Sequence, residues 1–154
     1  MMKNILFTIV LIFCVQLGFS QSQLTSKEES TIKQLIIDMF QDLLSDYNTT
    51  KIEKYCTKDF LLLEHGEVWN NDTVRYYINQ ALLNENKATR TNKYEFIKFE
   101  KSGDMIWVAY NNWATWTKND TVMRKMHWLE SAVAVKEGKN WKLKMMHSTR
   151  IDNE

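Results

Sequence analysis

Proline is absent from the 154-residue chain, glycine occurs four times and cysteine twice. A chain so poor in turn-breakers is not a flexible linker or a low-complexity tract. Charge of one sign is also lacking: 20 Lys and Arg stand against 19 Asp and Glu, with no basic block that would neutralise successive phosphates. This excludes nucleic acid as an expected partner. Four glycines leave no phosphate-cradling loop, and Gly-x-Ser-x-Gly, Cys-x-x-Cys, His-x-His and Glu-x-x-His spacings are all missing. The three histidines, His65, His127 and His147, are far apart, so neither a metal nor another cofactor is expected.

One long apolar run is present, at residues 5–15 behind Lys3. It is too short to span a bilayer comfortably, and Gly18 and Ser20 fit the small-x-small pattern of a signal peptidase site. Residues 1–20 therefore read as a signal peptide and 21–154 as a single domain, exported to the periplasm or secreted. A retained membrane anchor is the alternative. Lipid attachment at Cys14 is disfavoured because bulky Phe13 precedes it. Once Cys14 leaves, Cys56 is the sole thiol and no internal disulfide is possible. Stability must then come from packing, and six Trp, six Tyr and seven Phe are available for it.

Ser26-Lys27-Glu28-Glu29 reads as a capping box, and Ile32, Leu35, Ile36, Met39, Phe40, Leu43 and Leu44 recur at helical spacing. The spacing predicts a helix over 27–46. A short helical segment at 51–56 leads into an extended stretch, 60–69, with Gly66 as its bend. A second helix is capped by Asn71 or Asp72 and buries Val74, Tyr77, Ile78, Ala81 and Leu82. From residue 92 the period becomes two. Turn pairs at Ser102-Gly103, Asn119-Asp120 and Glu137-Gly138 divide strands at 93–101, 104–118, 121–136 and 140–150.

Hairpin parity sorts these strands into faces. Trp116 is set opposite Met123 and Asn112 opposite His127. A five-residue connection from Lys136 to Asn140 sets Ser131 opposite Met145 and Leu129 opposite His147. One face then holds Val108, Tyr110, Asn112, Trp116, His127, Leu129, Ser131, Val133, Leu143, Met145, His147 and Thr149, and is assigned to the helices. The other holds Trp107, Ala109, Trp113, Thr115, Arg124, Met126, Trp128, Glu130, Lys142 and Lys144. Tryptophans exposed together mark an interface, so this side reads as a homodimer surface through Trp107, Trp113, Met126 and Trp128. A covering loop or N-terminal segment is the alternative.

The order of elements resembles the nuclear transport factor 2-like superfamily, more narrowly its SnoaL-like and ketosteroid-isomerase-like small bacterial members. Residues 129–149, a strand, a Gly turn, Trp141-Lys142 and the His147-Ser148-Thr149 end, are similar to the closing hairpin of that family. The resemblance spans 21–154 and implies an α+β cone: a curved antiparallel sheet, made of the four-strand meander and a short earlier strand, packed on N-terminal helices around a pocket.

Within such a pocket, His147 is the leading candidate for proton exchange, beside the reading of it as a core histidine bonded to Ser131. Glu64, if it faces inward, would have its pKa raised by Leu62, Trp69 and the helices and become a general base. Tyr110, Asn112, Trp116, His127, Ser131, Thr149 and Trp69 are the expected ligand contacts. The primary reading is a pocket protein for a small, largely apolar ligand. The alternatives are an isomerase- or cyclase-type enzyme acting on a carbonyl compound, and a structural or interaction domain using the Trp-rich face. The tyrosine and two aspartates of steroid isomerases have no residue-by-residue match here.

Overall fold

The computed structural model describes residues 23–84 and 87–151. The segment read as a signal peptide, 1–20, lies outside them. Among the described residues, three α-helices and a six-stranded mixed sheet form the α+β cone expected. Helix α1 spans Ser26–Met39 and continues as a π-helical turn, Phe40–Ser45. A 3₁₀ turn, Thr49–Lys51, and a four-residue helix α2, Ile52–Tyr55, lead into strand β1, Cys56–Glu64. Strand β2, Glu67–Trp69, and helix α3, Asn71–Leu82, precede the meander of β3, Thr89–Ser102, β4, Met105–Lys118, β5, Thr121–Glu137, and β6, Asn140–Ile151. The sheet order is β2-β1-β6-β5-β4-β3. Every neighbour pair is antiparallel except β1 with β6, which returns the chain beside its own C-terminal strand.

Local chemistry sets the helix starts one residue earlier than the sequence reading. Thr25, not Ser26, caps α1: its hydroxyl accepts from the Glu28 amide at 3.2 Å, and the Glu28 carboxylate accepts from the Thr25 amide at 3.1 Å. Asn70 caps α3 through the Thr73 amide at 2.9 Å. The apolar stripe of α1 is buried as expected at Ile32, Ile36, Met39, Phe40 and Leu43. On α3 only Val74 and Ile78 are buried, whereas Tyr77 and Leu82 stay largely exposed.

The faces of the meander differ from the parity argument in one respect that matters. Asn119 and Asp120 both take positive φ, forming a two-residue hairpin loop. The ladder then slips: Thr117 pairs with Val122 but Trp116 with Arg124, leaving Met123 as the extra residue of a β-bulge. A one-residue slip inverts every side chain beyond it. On β4, Val108, Tyr110, Asn112 and Trp116 face the helices as expected. On β5 the inward residues are Met126, Trp128, Glu130, Ala132 and Ala134, and on β6 Met146 and Ser148.

His127, Leu129, Ser131, Val133, Met145, His147 and Thr149 consequently lie on the outer face. The second hairpin also departs from the sequence reading, since Glu137 pairs with Asn140 across a two-residue loop and a bulge at Lys144 follows. That bulge returns Leu143 to the inner face, where it is fully buried.

Candidate functional site

A cavity of about 310 Å³ opens between the inner sheet face and the helices. Its walls are Phe40 and Leu44 from the end of α1, Tyr47 just after it, Leu62 and Trp69 from β1 and β2, and Val74, Tyr77, Ile78 and Ala81 from α3. The sheet contributes Glu64, Arg90, Trp116, Trp128, Glu130 and Ser148. A small apolar annex of about 60 Å³ reaches inward to Met39, Leu43, Cys56, Phe60 and Met146. Phe40 and Leu44 both belong to the π turn, a local form frequent at functional sites. Tyr77 stacks on Trp69 at 4.4 Å between centroids, so its exposure is that of a cavity rim.

A groove of about 830 Å³ runs outside, between α1, α2 and the β5–β6 hairpin, past Lys27, Gln34, Asp38, Lys54 and Trp141. It is larger but open to solvent. The smaller cavity holds convergent buried polar groups among aromatic walls, the arrangement that ligand sites share.

Glu130 is the most unusual of these groups. It is only 5% exposed, yet no cation lies within ion-pair distance of it among the described residues. Ser148 Oγ donates to one carboxylate oxygen at 3.2 Å and Asn112 Nδ2 to the other at 3.3 Å. Burial pushes its pKa up to about 7, against the pull of the Tyr110 hydroxyl, Ser148 and Asn112, while the charge of Glu64 adds to the rise. The Tyr110 hydroxyl lies against this carboxyl but outside ordinary hydrogen-bond geometry, so its oxygen has no bonded partner. Asn112 Oδ1 is likewise unpartnered, and both residues are fully buried. Buried polar atoms left unmatched are rare in proteins.

Glu64 faces the cavity, as the general-base reading required. Its pKa is raised by burial, with Ser148, His65, Arg90 and His147 opposing. His65 sits in the β1–β2 turn at φ 51° beside Gly66 at φ 79°, exposed to solvent, with Nε2 3.0 Å from Glu64 Oε1. The two side chains thus meet at the rim although strand alternation would have parted them.

Arg90 completes the set. Its guanidinium lies 5.1 to 5.7 Å from the ring centroids of Trp116, Phe40 and Trp128, and Nε donates to Asn92 Oδ1 at 3.1 Å. Asn92 in turn donates to Ser45 Oγ at 3.3 Å, tying β3 to the π turn. No ion pair to Arg90 occurs among the described residues.

Of the residues expected from the sequence, Glu64, Tyr110, Asn112, Trp116 and Trp69 come together in or directly behind this cavity. His127, Ser131, His147 and Thr149 do not: they are outside, His127 stacked on Trp113 at 4.6 Å and hydrogen-bonded to Asn111 at 2.8 Å. His147 and Thr149 border a shallow outer groove with His65 and Arg150. Met126 and Trp128, read as dimer surface, are buried on the inner face, where Trp128 walls the cavity. Glu130, Ser148, Trp128 and Arg90 were missed. For the first three the reason is the Met123 bulge, and Arg90 lies in the first residues of β3, which begins four residues before the 93 read from the sequence. No group of three or more His, Cys, Asp or Glu suited to a metal ion occurs among the described residues. Cys56 is buried and its thiol pushed up to about 12, chiefly by desolvation, which leaves it inert as a nucleophile.

No family profile and no curated protein sequence matches the chain. Solved structures do. The hub homology domain of a calcium/calmodulin-dependent kinase II from Chlamydomonas reinhardtii superposes with a TM-score of 0.70 at 16% identity, covering 80% of this chain and 98% of that one. A ketosteroid isomerase-like protein from Erwinia carotovora atroseptica gives 0.63 at 15% identity, over 84% of this chain and 100% of that one. A nuclear transport factor 2-like protein from Cytophaga hutchinsonii gives 0.59 at 17%, over 77% and 98%. At these identities the likeness establishes the fold.

Proposed function

On a nuclear transport factor 2-like fold, we propose that this chain is a small-molecule pocket protein. The ligand has an apolar, flat body that lies among Trp69, Tyr77, Trp116 and Trp128 and a polar group that meets Glu130, Ser148 and Arg90. One observation carries the reading: a cavity walled by aromatics ends on Glu130, a buried carboxyl without an ion pair among the described residues, and behind it Tyr110 Oη and Asn112 Oδ1 have no hydrogen-bond partner. A ligand that reorganises this cluster would gain hydrogen bonds in a dry site, where they are worth most. Native mass spectrometry of the protein purified from its own cells tests it. A discrete non-covalent adduct, lost from a variant with the cavity filled by Ala81→Trp, is the expected result. An adduct unchanged by that substitution would locate the ligand elsewhere and sink the reading.

The two carboxyls favour a second reading, acid–base chemistry on a carbonyl compound. Glu64 stands near the rim and Glu130 is buried with a pKa near neutrality, so the pair differs in proton affinity as acid and base partners do. In that reading Glu64 moves the proton and Glu130, held protonated, donates to the developing oxyanion beside Tyr110.

The same proposal gives the outer face a partner, a second copy of the chain. Met105, Trp107 and Leu129 are exposed there beside Trp113, Val133 and Met145, and Leu129 is 46% exposed in the middle of a sheet. An apolar sheet face of this kind suits an interface, and similarity to proteins described as hub domains supports self-association. Export remains part of the proposal, and a purified protein beginning at Gln21 would support it.

A further inference from the structure

Resting on the pocket reading, we infer that the cavity takes an aromatic monoanion, whose charged group seats on Arg90, and that binding draws a proton onto the Glu64–Glu130 pair.

Charge in this cavity competes with space. Arg90 lines the cavity with three aromatic rings around its guanidinium and Asn92 at Nε, and its terminal nitrogens make no hydrogen bond among the described residues. A desolvated guanidinium without an ion pair is costly, and a planar anion matches its fork. The electrostatic neighbours that bear on it are Glu64 on β1, Glu130 on β5, Tyr94 on its own strand, and Tyr47 after α1. Glu130 in turn faces Tyr110 on β4 and Ser148 on β6, and Glu64 feels His65 at the rim and His147 on the outer face of the sheet. The lining residues from α3 carry no charge.

Within this ring of groups there is one cation for two carboxyls, and Ser148 stands beside both. An incoming anion would make three negative charges against one positive in a cavity of about 310 Å³. At most one carboxyl can stay ionised at acceptable cost in such a space. Glu130, the more buried, is the one that keeps or takes the proton. Its midpoint in the empty protein is about 7, so binding below that pH needs no uptake. Above it, each bound anion brings in up to one proton, and affinity falls by up to about tenfold per pH unit.

The probe pair 2-naphthoate and 2-naphthamide tests this by isothermal titration calorimetry at pH 6.0, 7.5 and 9.0, in buffers of differing ionisation heat. Naphthoate stays ionised throughout, so the pH dependence belongs to the protein. The expected result has three parts: naphthoate binds at least tenfold more tightly than naphthamide at pH 6.0, loses at least tenfold by pH 9.0, and shows proton uptake in the buffer comparison. Glu130→Gln should flatten the pH profile while the anion preference persists. Arg90→Gln should abolish the preference, with near-ultraviolet circular dichroism confirming that its aromatic core is intact.

Equal binding of the two probes, or anion binding independent of pH with no proton uptake, overturns the inference and leaves the pocket reading standing. Failure of both probes to bind at millimolar concentration counts against the pocket reading itself.

Discussion

The residue that most deserves a measurement of its own is Glu130, because its environment makes a signed statement about stability. A free glutamate titrates near 4.5, and here burial moves the midpoint to about 7. Below pH 4.5 folded and unfolded chains both hold the proton. Between about 4.5 and 7 only the folded chain holds it, so stability falls as pH rises, by about 3 kcal/mol across the window, and then levels off. Denaturant unfolding from pH 4 to 8 should show this decline in the wild type and a loss of roughly that much of it in Glu130→Gln. Tyr110→Phe makes the complementary case. Deleting a buried hydroxyl that has no partner should leave the free protein as stable or stabilise it by up to about 1 kcal/mol. Were that hydroxyl satisfied, the same change would destabilise by a similar amount.

Much of this cluster was legible at the residue scale. Tyr110, Asn112 and Trp116 were placed inward because β4 runs without interruption, whereas for Glu64 strand alternation left open whether it or His65 faces the cavity. Glu130 was assigned to the outside. Its strand misleads on hydrophobicity, since the outer residues Leu129, Val133 and Val135 are larger than inner Ala132 and Ala134. Small side chains are needed there because Ile32 and Ile36 of α1 belong to the same core cluster.

At the scale of elements, the hairpin positions and the ends of β4, β5 and β6 came directly from period and turn chemistry, the start of β3 did not, and the register of β5 against β4 depended on one residue. Nothing in Thr121-Val122-Met123-Arg124 announces a bulge, since Met123 is apolar and an exposed bulge residue need not be. Deleting Met123 should therefore be mild: Arg124 would still meet Trp116, now in a regular ladder, and the inner face would keep its residues. Deleting Leu129 should unfold the protein, because it shifts half of β5 by one position. Thermal melts of the two deletions separate these outcomes. The hairpin loop supplies a smaller test. Asp120 holds a φ of 59°, which glycine adopts without strain, so Asp120→Gly should raise stability by up to about 1 kcal/mol.

For the whole molecule, the same bulge decides which aromatic surface is cavity and which is exterior. Trp69, Trp116 and Trp128 wall the interior space, while Trp107 and Trp113 stand on the outer sheet. If that outer face joins two copies, light scattering should give twice the monomer mass, and Trp107→Lys with Leu129→Lys should return the monomer with its fold intact. A wild-type monomer at tens of micromolar would remove the interface from the account.

Indole nitrogen NMR tests most directly whether the inner aromatics form a ligand site, because the six tryptophans report from separate places. Titration of the protein with 2-naphthamide, which carries no charge of its own, should shift the indole signals of Trp69, Trp116 and Trp128 and leave those of Trp107, Trp113 and Trp141 in place. Shifts confined to the outer three, or none at millimolar probe, would contradict such a site.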